Sequence, residues 1–245
     1  MLPFLLTLLE DQSALAGLIA VVGCDGSGKT RLAADLAITL RQRMLTERRY
    51  MGLVSGETGD KIKRFPLIGR ALHHYMKRKA DRAQDMRENL PSSFTAFIMY
   101  LLSLWRLLQM IQIGRLIKRG VLVIAERYPQ AEIKGFHYDG PGLSIERSKN
   151  RLMRKLAMQE QQLYDVMAGC TPSLVIRLAI DAETAYARKP DHSLAELRDK
   201  SQSLPLIRFN GARIFEIDAT RPYDEVLATA LHAIEAVVPQ QSHRL

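Results

Sequence analysis

The fold class this sequence predicts is a three-layer α/β sandwich, a five-stranded parallel sheet flanked by helices, and three observations predict it. Short apolar runs alternate along the chain with helical stretches, the pattern of parallel strands joined by helical crossovers. The stretch from Gly23 to Thr30, GCDGSGKT, fits G-x-x-x-x-G-K-[ST] and lies between one such run and an amphipathic helix. That is the context in which the loop wraps phosphate groups. With 245 residues, 47% of them apolar, the chain can bury the core such a sheet needs.

Each element has its own signal. Leu5, Leu6, Leu8 and Leu9 suggest a short helix over 3–10 that packs on the domain. The run 18–22 is continuously apolar and ends at the loop, as a central strand buried on both faces does. A helix starts near Gly28 and carries Leu32, Ala33, Leu36, Ala37 and Leu40 at helical spacing. The stretch RYMGLVS (49–55) reads as a second strand, followed by helices over 66–86 and 92–118. Within the latter, FTAFIMYLLSLW is shorter than the ~20 apolar residues a membrane span needs and meets Arg106 at once, so it reads as a buried helix. Strands follow at 121–125, 173–180 and 213–218, with a basic helix over 145–168, and Pro222 opens a last helix to about Val237.

Composition narrows the chemistry. Cys24 and Cys170 are isolated and form no metal-type spacing, which points to a reducing, cytoplasmic setting. The net charge is +9, with nine Lys or Arg between Lys61 and Arg87 against Asp81 and Asp85. This run reads either as a solvated helix face or as attraction for a small anionic substrate. No aromatic ladder interleaves it, so nucleic acid is not the expected partner. The apolar amino terminus lacks a basic leader and is interrupted by Glu10 and Asp11, which argues against a signal peptide. Peripheral membrane contact is the minority reading.

The loop sets the candidate site. Backbone N–H groups around Gly23, Gly26, Ser27 and Gly28 meet phosphate oxygens, and the helix that starts there adds its positive end. Lys29 reaches the β- and γ-phosphates of a nucleotide, and the Thr30 hydroxyl takes one position on Mg²⁺. Glu126 and Arg127 follow the third strand directly. A carboxylate there either holds magnesium's waters or accepts a proton from a hydroxyl, and the arginine bridges two phosphate groups. Arg188, Lys189, Arg198 and Lys200 gather after the fourth strand, where a basic segment can close over phosphates. Ala219 and Thr220, after the fifth strand, offer backbone groups to an adenine ring.

In this order and spacing IAVVGCDGSGKT, GVLVIAERYPQAEIKG, LAIDAETAYARK and FEIDATRPYDEV resemble the thymidylate kinase-like P-loop kinases, over about 18–237. The resemblance implies a P-loop kinase-type sandwich and phosphoryl transfer from Mg-ATP to a (deoxy)nucleoside monophosphate, dTMP foremost. A kinase of the same fold for a nucleoside, sugar or lipid-linked acceptor, or a non-catalytic nucleotide-binding protein, stays open beside it. It also implies an N-terminal extension (1–16), a kinase domain (17–238) with an acceptor region near 55–118 and a lid near 184–203, and a tail (239–245). Homodimers are common in such kinases. Asp25 matches an acidic position that contacts the substrate, while Arg31 belongs to the cofactor-binding set. Gly26 stands where some members carry a loop arginine; members with Gly take their catalytic cation from the lid, which nominates Arg188. On the acceptor side the resemblance nominates Glu57, Arg106, Arg127 and Tyr128, with Leu102 where an aromatic is usual. Glu126 replaces the family's common Asp, as in the neighbouring deoxynucleoside kinases.

Overall fold

The computed structural model describes residues 14–52, 93–135, 138–145 and 150–238. The elements run β1 (Ala14–Gly23), α1 (Lys29–Arg41), β2 (Thr46–Tyr50), α2 (Ser93–Lys118), β3 (Leu122–Glu126) and α3 (Arg151–Gly169). They continue with β4 (Thr171–Ala179), α4 (Ala182–Arg188), α5 (Leu194–Ser203), β5 (Ile214–Asp218) and α6 (Tyr223–Glu235). One parallel sheet results, in the order β2-β3-β1-β4-β5. The expected α/β sandwich is the fold.

Alternation along β1 builds its two cores. Leu18, Ala20 and Val22 pack with Leu107 and Met110 of α2 and with Leu163 and Met167 of α3. Ile19 and Val21 face the other way, against Leu32 and Leu36 of α1 and Val226 and Ile234 of α6. Since β1 is central and its neighbours β3 and β4 lie on opposite sides, a crevice opens beyond its carboxyl end. The glycine-rich loop falls there.

Several boundaries differ from the expected ones. Strand β1 begins at Ala14, because a bulge at Gly17 (φ +102°) carries the ladder past the break in the apolar run. Ser173 clamps the bulge, accepting from the Gly17 N–H at 3.0 Å and donating to the Leu15 carbonyl at 3.0 Å. Strand β2 lies over TERRY, three residues before its expected start, at the sheet's edge. Edge strands have a solvated side, so polar residues serve there and the apolar signal fails. Helix α3 starts at Arg151 because the Asn150 side chain accepts from the Met153 N–H at 2.8 Å and caps it.

Helix α2 is buried on one side only. Ala96, Met99, Leu107 and Met110 are buried, whereas Phe94, Phe97, Leu101, Trp105 and Leu108 are exposed. By length and composition Ala96–Lys118 could cross a membrane, but 56% of its most apolar window is buried in the fold. The helices expected over 3–10 and 66–86, the basic run 61–87, Glu57 and the tail lie outside the described residues.

Candidate functional site

Strand β1 delivers the chain to the loop and α1 takes it away. Two glycines make the turn: Gly26 and Gly28 have φ of +88° and +86°, where side-chain-bearing residues are strained. At Gly26 space is also short, since a Cβ would stand 2.6 Å from the Ala185 carbonyl oxygen of α4. The Ser27 N–H donates to the Cys24 carbonyl at 3.2 Å, closing the turn. Ser27 Oγ is buried with no partner among the described residues. Thr30 is exposed on the first turn of α1, and the exposed Arg31 stacks 3.7 Å over the Tyr223 ring.

Asp25 is the electrostatic centre. Only 4% exposed, it meets three cations, Lys29 of α1, Arg127 just after β3 and Lys200 of α5. Lys29 Nζ donates to Asp25 Oδ1 at 3.2 Å and to the Cys24 carbonyl at 3.1 Å. Arg127 Nη2 donates to Oδ1 at 2.8 Å, and Lys200 Nζ from α5 donates to Oδ2. Burial would raise the pKa of this carboxyl, but the three cations outweigh it and hold it far below the usual carboxylate range. Burial lowers the Lys29 pKa, with Arg127 adding to the fall and Asp25 opposing it. One carboxylate among three cations leaves positive charge in excess at a helix N-terminus, a field suited to anions.

Beside the loop, Glu126 ends β3 in register with Val21. Fully buried, it accepts at Oε1 from Arg48 Nε of β2 at 2.7 Å, and its Oε2 has no partner among the described residues. It faces the α1 side of the sheet, the side shared by Leu122 and Ile124. An unpartnered carboxylate oxygen together with the Thr30 hydroxyl fits Mg²⁺, which takes one or two protein oxygens and otherwise water and phosphate. No group of three or more His, Cys, Asp or Glu that could cage a metal exists among the described residues.

Arg127 reaches back to the loop because its own backbone is left-handed, φ +53°. Such strain has to be held. Arg106 holds it, donating from Nη2 to the Arg127 carbonyl at 2.7 Å and to Asp139 Oδ1 at 2.9 Å. Its Nη1 donates to Tyr164 Oη at 3.0 Å and to the Asp139 carbonyl at 3.2 Å. Arg106 is 1% exposed, so it braces the site from beneath instead of presenting itself to a substrate. Tyr128 is likewise a core residue, its hydroxyl donating to the Cys170 carbonyl.

The segment after β4 also departs from expectation. Arg188, the nominated lid cation, donates instead to the Ala219 carbonyl at 2.9 Å. That ties it to the loop after β5, where Thr220 donates from N and Oγ1 to Asp218 Oδ1 at 2.9 and 2.6 Å. The residue that reaches the phosphate loop is Lys200. Leu197 is buried, and Lys200, three residues on, shares its helix face; that periodicity could have singled it out. Tyr138 reinforces the contact by donating to Asp199, the neighbour of Lys200. Burial and this bond push the Tyr138 pKa up to about 12.

Together Gly23, Lys29, Arg127, Asp139 and Lys200 line a pocket that Leu204 and Phe209 also line. Asp139 escaped the sequence reading because YDGPG looks like a plain turn. Ala219 and Thr220 are not in its lining.

No protein-family model matches the chain. Among curated proteins it is 50% identical over 231 residues to "Uncharacterized ATP-binding protein YghR" of Escherichia coli K12, covering 94% of this chain and 92% of that one. It is 43% identical over 220 residues to "Uncharacterized ATP-binding protein YghS" of the same strain, covering 90% and 93%.

Proposed function

The chain belongs to the family of YghR and YghS, and from that premise we propose that it binds ATP at the loop Gly23–Thr30 and transfers the γ-phosphoryl group to a small acceptor. The observation that carries the reading is the convergence of Lys29, Arg127 and Lys200 on Asp25 at the N-terminus of α1. Three cations from separate parts of the chain around a phosphate-type loop make a site for charge that shifts between donor and acceptor.

In this mechanism the loop N–H groups and Lys29 hold the β- and γ-phosphates. Glu126 Oε2 and Thr30 Oγ1 would hold Mg²⁺, which neutralises phosphate charge when bound. Arg127 aligns donor and acceptor, and Lys200 stabilises the transferring group. The acceptor oxygen forms a bond to the γ-phosphorus as the β–γ bridging oxygen leaves with ADP. Positioning and electrostatics supply most of the barrier reduction. Arg31, Arg188, Ala219 and Thr220 serve the adenine end.

The resemblance to thymidylate kinase-like enzymes favours a (deoxy)nucleoside monophosphate acceptor, dTMP first, in a cytoplasmic nucleotide-biosynthetic role. Such an acceptor already bears an anionic oxygen and needs no strong base. A specific observation favours a second reading, a kinase for a hydroxyl acceptor such as a nucleoside or sugar: both Nη atoms of Arg106 are spent inside the protein. ADP release over monophosphates, nucleosides and sugars tests both. Turnover with dTMP alone supports the first, and turnover only with unphosphorylated acceptors the second. Tight ATP binding without turnover on any acceptor would overturn the kinase reading in favour of a regulatory one.

A further inference from the structure

We propose that Asp139 receives a hydroxyl group of the acceptor, so that the acceptor half of this site recognises a hydroxylated ring. The inference rests on the kinase reading and assigns a part of the site that the phosphate chemistry does not use.

Asp139 lines the pocket beside Arg127 and Lys200, and its side chain is 21% exposed. Its two carboxylate oxygens are unequally engaged. Oδ1 takes Arg106 Nη2 at 2.9 Å and lies 3.8 Å from Arg127 Nη1. Oδ2 has no hydrogen-bond partner among the described residues and is not buried. A carboxylate offers only acceptors to a ligand. A phosphate oxygen finds repulsion at Oδ2; a hydroxyl, being a donor, finds a partner. Asp25, the acidic position expected to meet the substrate, has both oxygens committed to the three cations. The next carboxylate along Arg127 is Asp139.

The turn that carries Asp139 is built rigidly. Its backbone is left-handed, φ +61°, and its carbonyl accepts from the Gln130 N–H at 3.2 Å and from Arg106 at 3.2 Å. Gln130, 1% exposed, braces the turn from inside by donating to the carbonyls of Ile133 and Tyr138. Gly140 is required next to it, since a Cβ there would stand 2.2 Å from the Ile133 carbonyl oxygen. Such bracing fixes a side chain in advance of its ligand, as a specificity-determining group requires. Leu204 and Phe209 add apolar lining to the same pocket.

The experiment compares wild type with Asp139→Asn, whose amide can keep an oxygen toward Arg106. ADP release is measured with dTMP, thymidine, glucose and N-acetylglucosamine. The expected result is an acceptor KM raised about 10- to 100-fold, as for a lost charge-assisted hydrogen bond, with the ATP KM within twofold. An unchanged acceptor KM, or an equal rise in the ATP KM, overturns the assignment and leaves Asp139 as a brace for Arg127. Wild type is also assayed with monodeoxy analogues of the best acceptor, a test that needs no variant. One analogue should show the same loss, and a full set without such an analogue overturns the proposal. If nothing turns over, the kinase reading fails separately, and thermal shifts with the same compounds beside Mg-ADP decide Asp139. A shift present in wild type and lost in Asp139→Asn, with the Mg-ADP shift retained, upholds it; no shift in wild type overturns it.

Discussion

Replacing Lys200 by Met separates its two effects, on stability and on rate. Its ammonium is bonded to Asp25, at 12% and 4% side-chain exposure, and a charge-assisted bond of this kind contributes about 1.5–3 kcal/mol. Two terms reduce the net loss. Asp25 keeps Lys29 and Arg127, and removing one of three like charges relieves repulsion that already lowers the Lys29 pKa. The net change is therefore about 1 kcal/mol, a fall of about 2–4 °C in Tm for a chain of this length. The rate responds far more. A cation that stabilises the transferring group is worth about 10²–10³ in kcat, while the KM for ATP moves little because the loop and Lys29 remain. Steady-state ADP release and a thermal melt measure both. A kcat within threefold of wild type would refute the role given to Lys200. A Tm fall above about 8 °C would show that the ion pair carries far more of the fold than its geometry implies.

Other variants divide the site further. Arg188→Ala, which removes the bond to the Ala219 carbonyl, should raise the ATP KM several-fold with kcat nearly unchanged; a selective kcat loss would restore Arg188 as the lid cation. Lys29→Ala should lower kcat by about 10³ or more with a small change in Tm, and near-wild-type turnover would sink the phosphate-loop reading. Glu126→Gln should shift the Mg²⁺ concentration for half-maximal activity upward, read by a magnesium titration. The pKa of Asp25 is lowered in the folded state, so its stabilisation is complete above the unfolded carboxyl pKa of about 3.9 and is lost as pH falls below it. Asp25→Asn should thus be less stable at neutral pH, by about 3 kcal/mol, and show a shallower acid limb in denaturant melts between about pH 4 and pH 2.

What could be read from sequence was what depends on local pattern. GCDGSGKT between an apolar run and an amphipathic helix is such a pattern, and so is the alternation of strand and helix. Strand β2 was misplaced because an edge position accepts TERRY, and apolar periodicity cannot see hydrogen bonds to β3. The choice between Arg188 and Lys200 depends on how α4 and α5 turn over the loop, which is set by packing at Ala185 and Leu197. Composition gives both residues equal weight. Arg106 was nominated for the acceptor by the family resemblance, and nothing in its apolar sequence neighbourhood signals another partner. Only the fold brings Asp139 and Tyr164 to it.

Helix α2 makes one more quantity observable. Trp105 is the chain's one tryptophan and stands 42% exposed on the outer face of α2, next in sequence to the buried Arg106. Its emission therefore comes from a single known point, within reach of water-soluble quenchers, on the helix whose arginine braces Arg127 and Asp139. Ligand titrations can be followed at this native fluorophore with no label attached to the loop.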